Sequence, residues 1–146
     1  MRQLATTCKQ AVWIGVLSIA LSGTLTGVNP GWAVPMPVTP EAIATQLDDP
    51  TAPLLLDVRS VDEFRNGHIP GAINIPYRQL PGRLDALSGS ETTAIVVYCE
   101  VGVRASIAEE ILHLAGFQQV TPLVGHLQAW RDHGLPIDTI PPAKIP

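Results

Sequence analysis

Apolar residues along this chain fall into two kinds of run. Four are short and continuous: Leu54-Leu55-Leu56-Asp57-Val58, Ala72-Ile73-Asn74-Ile75, Thr93 to Tyr98, and Gln119 to Val124. Runs of that length fit strands covered on both faces, as in a parallel sheet. Between them lie segments with helical spacing: Pro40 to Leu47, a short turn from Val61 to Asn66, Arg104 to Ala115, and Leu127 to Asp132. Thr39 caps the first of these, with Pro40 in the first turn and Glu41 near the positive end of the dipole. In the longest, Ile107, Ala108, Ile111, Leu112 and Ala115 make one apolar stripe, while Ser106, Glu109, Glu110 and His113 face away. Gly116 and Gly134 stop the last two helices. Tyr77 to Leu87 is helical in spacing but broken by Pro81-Gly82, so a loop and two turns are expected there. Strands alternating with helices predict an α/β domain with a mainly parallel sheet.

The first 33 residues stand apart from this alternation. Arg2 and Lys9 precede an apolar core, Ala11 to Leu21, and a softer segment leads to Pro30-Gly31-Trp32-Ala33 with small residues at its end. That order reads as a secretory signal cleaved after Ala33. The alternative is an uncleaved membrane anchor, but the strongly apolar part has only 11 residues, against the roughly 20 a spanning helix needs. Residues 34–38 are a Pro-rich linker leading into a short edge strand, 39–137 form the domain, and 138–146 are a Pro-rich tail expected to lie without regular structure.

Removing the signal changes the charge. The full chain is −4, and without residues 1–33 it keeps 7 basic and 13 acidic residues, a net −6. An acidic surface argues against nucleic acid and against anionic membrane as partners. Cys8 leaves with the signal, so Cys99 is the only thiol of the remaining chain. A lone cysteine in an exported protein is either an intermolecular linker or a reactive group. No metal-spaced Cys/His cluster and no Gly-rich dinucleotide fingerprint is found, so neither a metal nor a cofactor is expected.

Cys99 stands where the run Ala94-Ile95-Val96-Val97 gives way to a loop, Tyr98-Cys99-Glu100-Val101-Gly102-Val103-Arg104, and the loop runs into the longest helix. Such a turn aims successive N–H groups at one point, and the helix dipole adds positive potential. A thiolate is favoured over a thiol there. Ligands in open α/β sheets bind at the carboxyl ends of strands, which is where Cys99 sits. Gly102 allows a backbone conformation that a side chain would hinder, and Arg104 either orients the loop or meets an anionic substrate.

Three motifs, in order, carry a resemblance. They are Leu56-Asp57-Val58-Arg59 with Glu63-Phe64 and Gly67-His68-Ile69-Pro70-Gly71-Ala72, then the loop from Tyr98 to Arg104, then Leu123-Val124-Gly125, Trp130 and Gly134-Leu135-Pro136. From about Thr39 to Ile137 the chain resembles a single rhodanese (sulfurtransferase) domain. The resemblance implies a mainly parallel five-stranded sheet with helices on both faces. It also implies a two-step transfer, in which Cys99 takes a sulfane sulfur from a small donor (thiosulfate, polysulfide or persulfide) and a thiol or cyanide acceptor removes it. Glu100, Val101, Gly102, Val103 and Arg104 would form the substrate-binding loop around the persulfide. Cell-cycle phosphatases and some arsenate reductases share this fold with one more residue between Cys and Arg; the four here, Glu100 to Val103, match the sulfurtransferase size.

Other residues are expected to support the loop. Asp57, an acid in an apolar strand, needs a partner, and Arg59 or loop backbone is the candidate; Arg59 and Glu63 read as fold-stabilising. Glu100 follows the cysteine where good thiosulfate enzymes often carry a base. A carboxylate at the rim would repel a dianion and favour a persulfide or polysulfide donor, unless it points to solvent and acts weakly. His68 reads as a hydrogen-bonded structural residue, His113 as surface and Trp130 as core. His126 stands where the family often has a second Gly, either tuning the donor or lying at the surface. The rival functions are a sulfur-relay or protein-binding module on the same fold, and a structural protein dimerised through Cys99.

Overall fold

The computed structural model describes residues 38–141. The segment 1–33, expected to be a cleaved signal, residues 34–37 of the expected linker and residues 142–146 lie outside the described residues. Among those described, no helix is long and apolar enough to cross a membrane.

The elements follow the apolar runs with trimmed ends. Helix α1 is Pro40–Ala44, β1 is Leu54–Asp57, α2 is Val61–Arg65 and β2 is Ile73–Asn74. Two 3-10 turns, Leu80–Gly82 and Leu84–Leu87, replace a helix where Pro81-Gly82 was expected to break one. Then come β3, Ile95–Tyr98; α3, Val103–Leu114; β4, Val120–Pro122; and α4, His126–Asp132. Thr39 caps α1 through its side chain, as its position predicts. Ser60 and Glu63 close a capping box on α2.

The sheet is wholly parallel, in the order β2-β1-β3-β4. Among the described residues it has four strands, one fewer than the resemblance implied. Of the expected edge strand before Thr39 only Val38 is described, and it forms a parallel bridge with Leu123, the Val124 N–H donating to the Val38 carbonyl at 2.8 Å.

Alternation along β3 sorts the core. Ile95, Val97 and Cys99 face one side with Leu56, Val58 and the α3 residues Ala105, Ala108 and Leu112. Val96 and Tyr98 face the other with Ile43, Leu127 and Trp130, where α1 and α4 pack together. The expected stripe on α3 is rotated. Ala105, Ala108 and Leu112 are buried and Ile111 is half-buried, but Ile107 is 45% exposed and Ala115 is also exposed. Small residues at i and i+3 let the helix come close to the sheet, and closure of the loop on Cys99 sets its rotation. The bulky β-branched Ile107 is left outside.

The C-terminal segment is tied back by backbone bonds. His68 and Asp138 exchange N–H donations at 2.9 Å each, and the Ile140 N–H donates to Arg65 at 2.9 Å. The Trp130 indole N–H donates to the Pro136 carbonyl at 2.7 Å.

Candidate active site

Cys99 directly follows β3 with its side chain on the α3 side, and the residue is 1% exposed. The Gly102 N–H donates to Cys99 Sγ at 3.0 Å. Gly102 makes that approach at φ +118, a conformation that L side chains rarely adopt.

Helix α4 sets the orientation of the loop from outside. The Leu127 N–H donates to the Cys99 carbonyl at 3.1 Å and the Gln128 N–H to the Glu100 carbonyl at 3.2 Å. In a trans peptide the following N–H points opposite to the carbonyl. Holding these carbonyls towards α4 therefore turns the N–H groups of Glu100 and Val101 away from it. The unpaired amides of the α4 first turn are satisfied in the same step. Sequence reasoning treated α4 only as a helix, because a backbone-to-backbone contact leaves no mark on residue identity.

Three arginines surround this loop, and each meets a carboxylate. Arg104, the second residue of α3, forms a two-pronged pair with Glu63 of α2, at 2.7 and 2.8 Å. Glu63 also accepts from Ser60, and these bonds, Arg104's first, hold its carboxyl down at about 2. Glu63 in turn, with Cys99 contributing less, holds the Arg104 guanidinium above its ordinary range. Arg59 is buried, with Nη2 donating to Asp57 at 2.6 Å and to the Gly67 carbonyl at 2.7 Å, while Nη1 reaches Glu100 at 3.3 Å. Asp57 also accepts the Arg59 backbone N–H at 2.9 Å. The second oxygen of Glu100 is taken by Arg131 of α4.

Beneath the loop lies His126, which opens α4 at φ +56. Its ring is so close to Gly102 that a Cβ there would stand 2.8 Å from His126 Nε2. Nδ1 is buried without a hydrogen-bond partner among the described residues, and burial pushes the ring's pKa down. The imidazole is therefore neutral at neutral pH.

The fold and this loop can be set beside known proteins. A family model described as Rhodanese-like domain matches residues 39–133. The chain belongs to the rhodanese-like family. Its rhodanese-like domain is 34% identical over 97 residues to a protein named sulfurtransferase from Allochromatium vinosum, covering 66% of this chain and 89% of that one. It is 38% identical over 91 residues to thiosulfate sulfurtransferase 16, chloroplastic, of Arabidopsis thaliana, covering 56% and 76%. Among solved structures, the crystal structure of the Alr3790 protein from Anabaena sp. superposes with a TM-score of 0.64 at 32% identity, covering 70% of this chain and 82% of that one.

Within the rhodanese-like domain the expected site residues divide by what they touch. Cys99 and Gly102 meet directly, and Arg104 is turned to Glu63. Val101 and Val103 flank Gly102 with side chains 64% and 72% exposed, on the outer surface of the loop. Asp57 and Arg59 pair as the burial argument required. Glu100 differs from both of its expected placements: it is neither an uncompensated charge at the rim nor directed into solvent, because two arginines hold its two oxygens. His68 Nδ1–H donates to the Phe64 carbonyl at 2.8 Å and the ring stacks on the Phe64 ring at 3.7 Å, a structural role. Two contributors were missed. Arg131 is an exposed base on a short helix, and only the fold brings it to Glu100 from 31 positions away. Glu63 was read as a fold partner, but its link to Arg104 makes it a support of the loop.

Proposed function

We propose that this rhodanese-like domain is a sulfurtransferase that carries sulfane sulfur as a persulfide on Cys99. The observation that carries the reading is the Gly102 N–H directed at Cys99 Sγ at 3.0 Å, in a loop whose peptides are held by α4. A backbone N–H at this distance is placed to meet negative charge on sulfur during the transfer.

In the first step the Cys99 thiolate attacks the outer sulfur of a donor. A Cys99 S–S bond forms, the donor's own bond to that sulfur breaks, and the donor remainder leaves with the electron pair. With thiosulfate the remainder is sulfite. The negative charge then rests on the terminal sulfur of the persulfide, where the same loop N–H groups are placed to stabilise it. In the second step a thiolate or cyanide attacks that terminal sulfur, and the Cys99 thiolate leaves with the electron pair. The Cys99 thiolate that attacks in the first step is the group that leaves in the second, so the cycle as a whole consumes no proton. The sulfurtransferase names of two relatives support this chemistry for the chain. The four-residue spacing from Cys99 to Arg104 suits one sulfur atom rather than a phosphate.

Residues 1–33 direct the protein out of the cytoplasm in this reading, so the transfer takes place in an extracytoplasmic compartment. Sequencing the N-terminus of the protein recovered from its native cells checks this, with Val34 expected at the start.

Intact mass after incubation with thiosulfate and with polysulfide tests the carrier role. The wild type is expected to gain one sulfur atom and to lose it on addition of cyanide, while Cys99→Ser gains none. A wild type that takes no sulfur from either donor overturns the reading and leaves the fold as a binding module.

A further inference from the structure

We propose that His126 is a positioning residue for the transfer: its uncharged ring holds Gly102 against Cys99, and protonation of that ring releases the loop and slows sulfur uptake in acid. The proposal rests on Cys99 as the sulfur carrier and adds the group that keeps the Cys99 loop closed.

The first ground is what His126 costs where it stands. It takes a left-handed backbone, φ +56, which a residue with a side chain keeps only when its surroundings impose it. They do so from both sides. The His126 N–H donates to the Leu123 carbonyl at 3.2 Å, and the next N–H, that of Leu127, holds the Cys99 carbonyl at 3.1 Å. Nδ1 is buried with no hydrogen-bond partner among the described residues. A glycine at this position would avoid both penalties. What the histidine adds is a ring, and that ring lies against Gly102, whose N–H meets Cys99 Sγ at 3.0 Å. Backbone strain and a buried unpaired nitrogen in one residue point to a part in the site.

The second ground is that this contact suits only the neutral ring. An imidazolium carries a proton on both nitrogens. On Nδ1 that proton would be buried without an acceptor; on Nε2 it would sit beside Gly102, where a Cβ would stand only 2.8 Å from the nitrogen. The charged groups around the ring are already engaged. Glu100 of the loop is taken by Arg59 and by Arg131 of α4, and Arg104 of α3 by Glu63. Glu109 and His113 of α3 stand 3.9 Å from each other, and β4 brings no titratable side chain. Cys99 itself is the remaining titratable group, and it meets Gly102. Burial therefore acts on the ring uncompensated and lowers its pKa from the ordinary 6.5. A protonated ring also has somewhere to go. His126 lines a surface groove of about 450 Å³ between α3 and β4, walled by Val120, Pro122 and Val124. Once the ring turns into water there, nothing holds Gly102 at φ +118, and its N–H is free to turn from the sulfur. The packed ring binds a proton less readily than a ring in water. The closed loop is therefore favoured in full above pH 6.5 and loses ground as pH falls below it.

The test follows persulfide formation from thiosulfate between about pH 8 and about pH 5, the range of imidazole titration, in wild type, His126→Asn and His126→Gly. Asparagine and glycine accept a left-handed backbone and do not titrate. At the upper end both variants should be slower than wild type by about tenfold, less than the outright loss of an anion-stabilising donor. The gap should close as pH falls, because protonation takes from wild type what the variants already lack. Parallel profiles, which a merely structural role would give, overturn the proposal, and so do variants as fast as wild type at the upper end. His113→Gln removes the other imidazole of the groove and should keep the wild-type profile; a flattened profile there overturns the assignment to His126. A separate arm needs no transfer. In Cys99→Ser the Gly102 amide is followed by NMR over the same range. Its shift should move with the His126 ring, at a midpoint below 6.5, and stay still in Cys99→Ser/His126→Asn. That result supports the coupling even if wild type takes up no sulfur, and a Gly102 amide that ignores the ring overturns it even if transfer succeeds.

Discussion

Gly102 is constrained from two directions. Its N–H serves Cys99, and its α-carbon faces the His126 ring with no room for a methyl group. Gly102→Ala therefore meets two separate penalties: a side chain at φ +118, and a Cβ 2.8 Å from His126 Nε2. Strain of this kind costs about 1–3 kcal/mol, and urea denaturation is expected to show a loss in that range together with slower persulfide formation. The double variant Gly102→Ala/His126→Gly should regain the steric part and keep the conformational part. Full recovery would mean that backbone strain contributes little. His126 is the less obvious half of this pair. In sequence it was one histidine near a glycine, with a surface position as one option. In the fold its ring is the floor of the loop, and its buried, unpartnered Nδ1 keeps it neutral.

At the scale of elements, α2 and α4 act as two clamps on the loop. The α2 clamp is ionic: the capping box aims Glu63, and Glu63 binds Arg104 in the first turn of α3. The pH dependence follows from the direction of the Glu63 shift. Its carboxyl is held at about 2 in the fold against an ordinary 4.5, so the unfolded chain binds this proton more readily. The stabilisation is present in full above pH 4.5 and is lost as pH falls towards 2. Glu63→Gln should be less stable than wild type at neutral pH, and the two should converge across that window. A gap that stays constant down to pH 2 would show that the pair contributes nothing through charge. The side chains are partly solvent-facing, so the gap should also shrink in high salt. The α4 clamp is made of backbone amides and does not titrate.

Across the whole molecule, buried Arg59 joins three regions that the chain keeps apart. It holds Asp57 at the end of β1, the Gly67 carbonyl after α2, and Glu100 in the loop. Replacing one member of a buried pair leaves the other charge uncompensated, at a cost of about 3–5 kcal/mol. Arg59→Met is expected to lose that much in chemical denaturation. Asp57→Leu/Arg59→Met, which removes both charges, should lose less than Arg59→Met alone, which would separate the penalty of an orphaned acid from the loss of the cross-links. Equal losses would assign the effect to the Gly67 and Glu100 contacts. The rival dimer joined through Cys99 also belongs to this scale. A residue 1% exposed is poorly placed to reach a second chain.

What the sequence determined by itself is what local chemistry dictates. Continuous apolar runs gave parallel strands, Thr39 marked a helix start, and a cysteine between a strand and a helix located the loop. The acid in the apolar run Leu54 to Val58 announced a buried pair, because an unpaired charge there is too costly to keep. The tertiary structure decided whatever depends on partners far apart in the chain. Whether Glu100 is a free charge or a neutralised one turns on Arg59 and Arg131, at separations of 41 and 31 residues. The rotation of α3 depends on where the loop closes, so the face chosen was Ala105 with Ala108 and Leu112 instead of the more apolar face that includes Ile107. The clamp from α4 uses backbone atoms that every residue has. Periodicity reports which residues avoid water. It does not report which distant group meets them once they have done so.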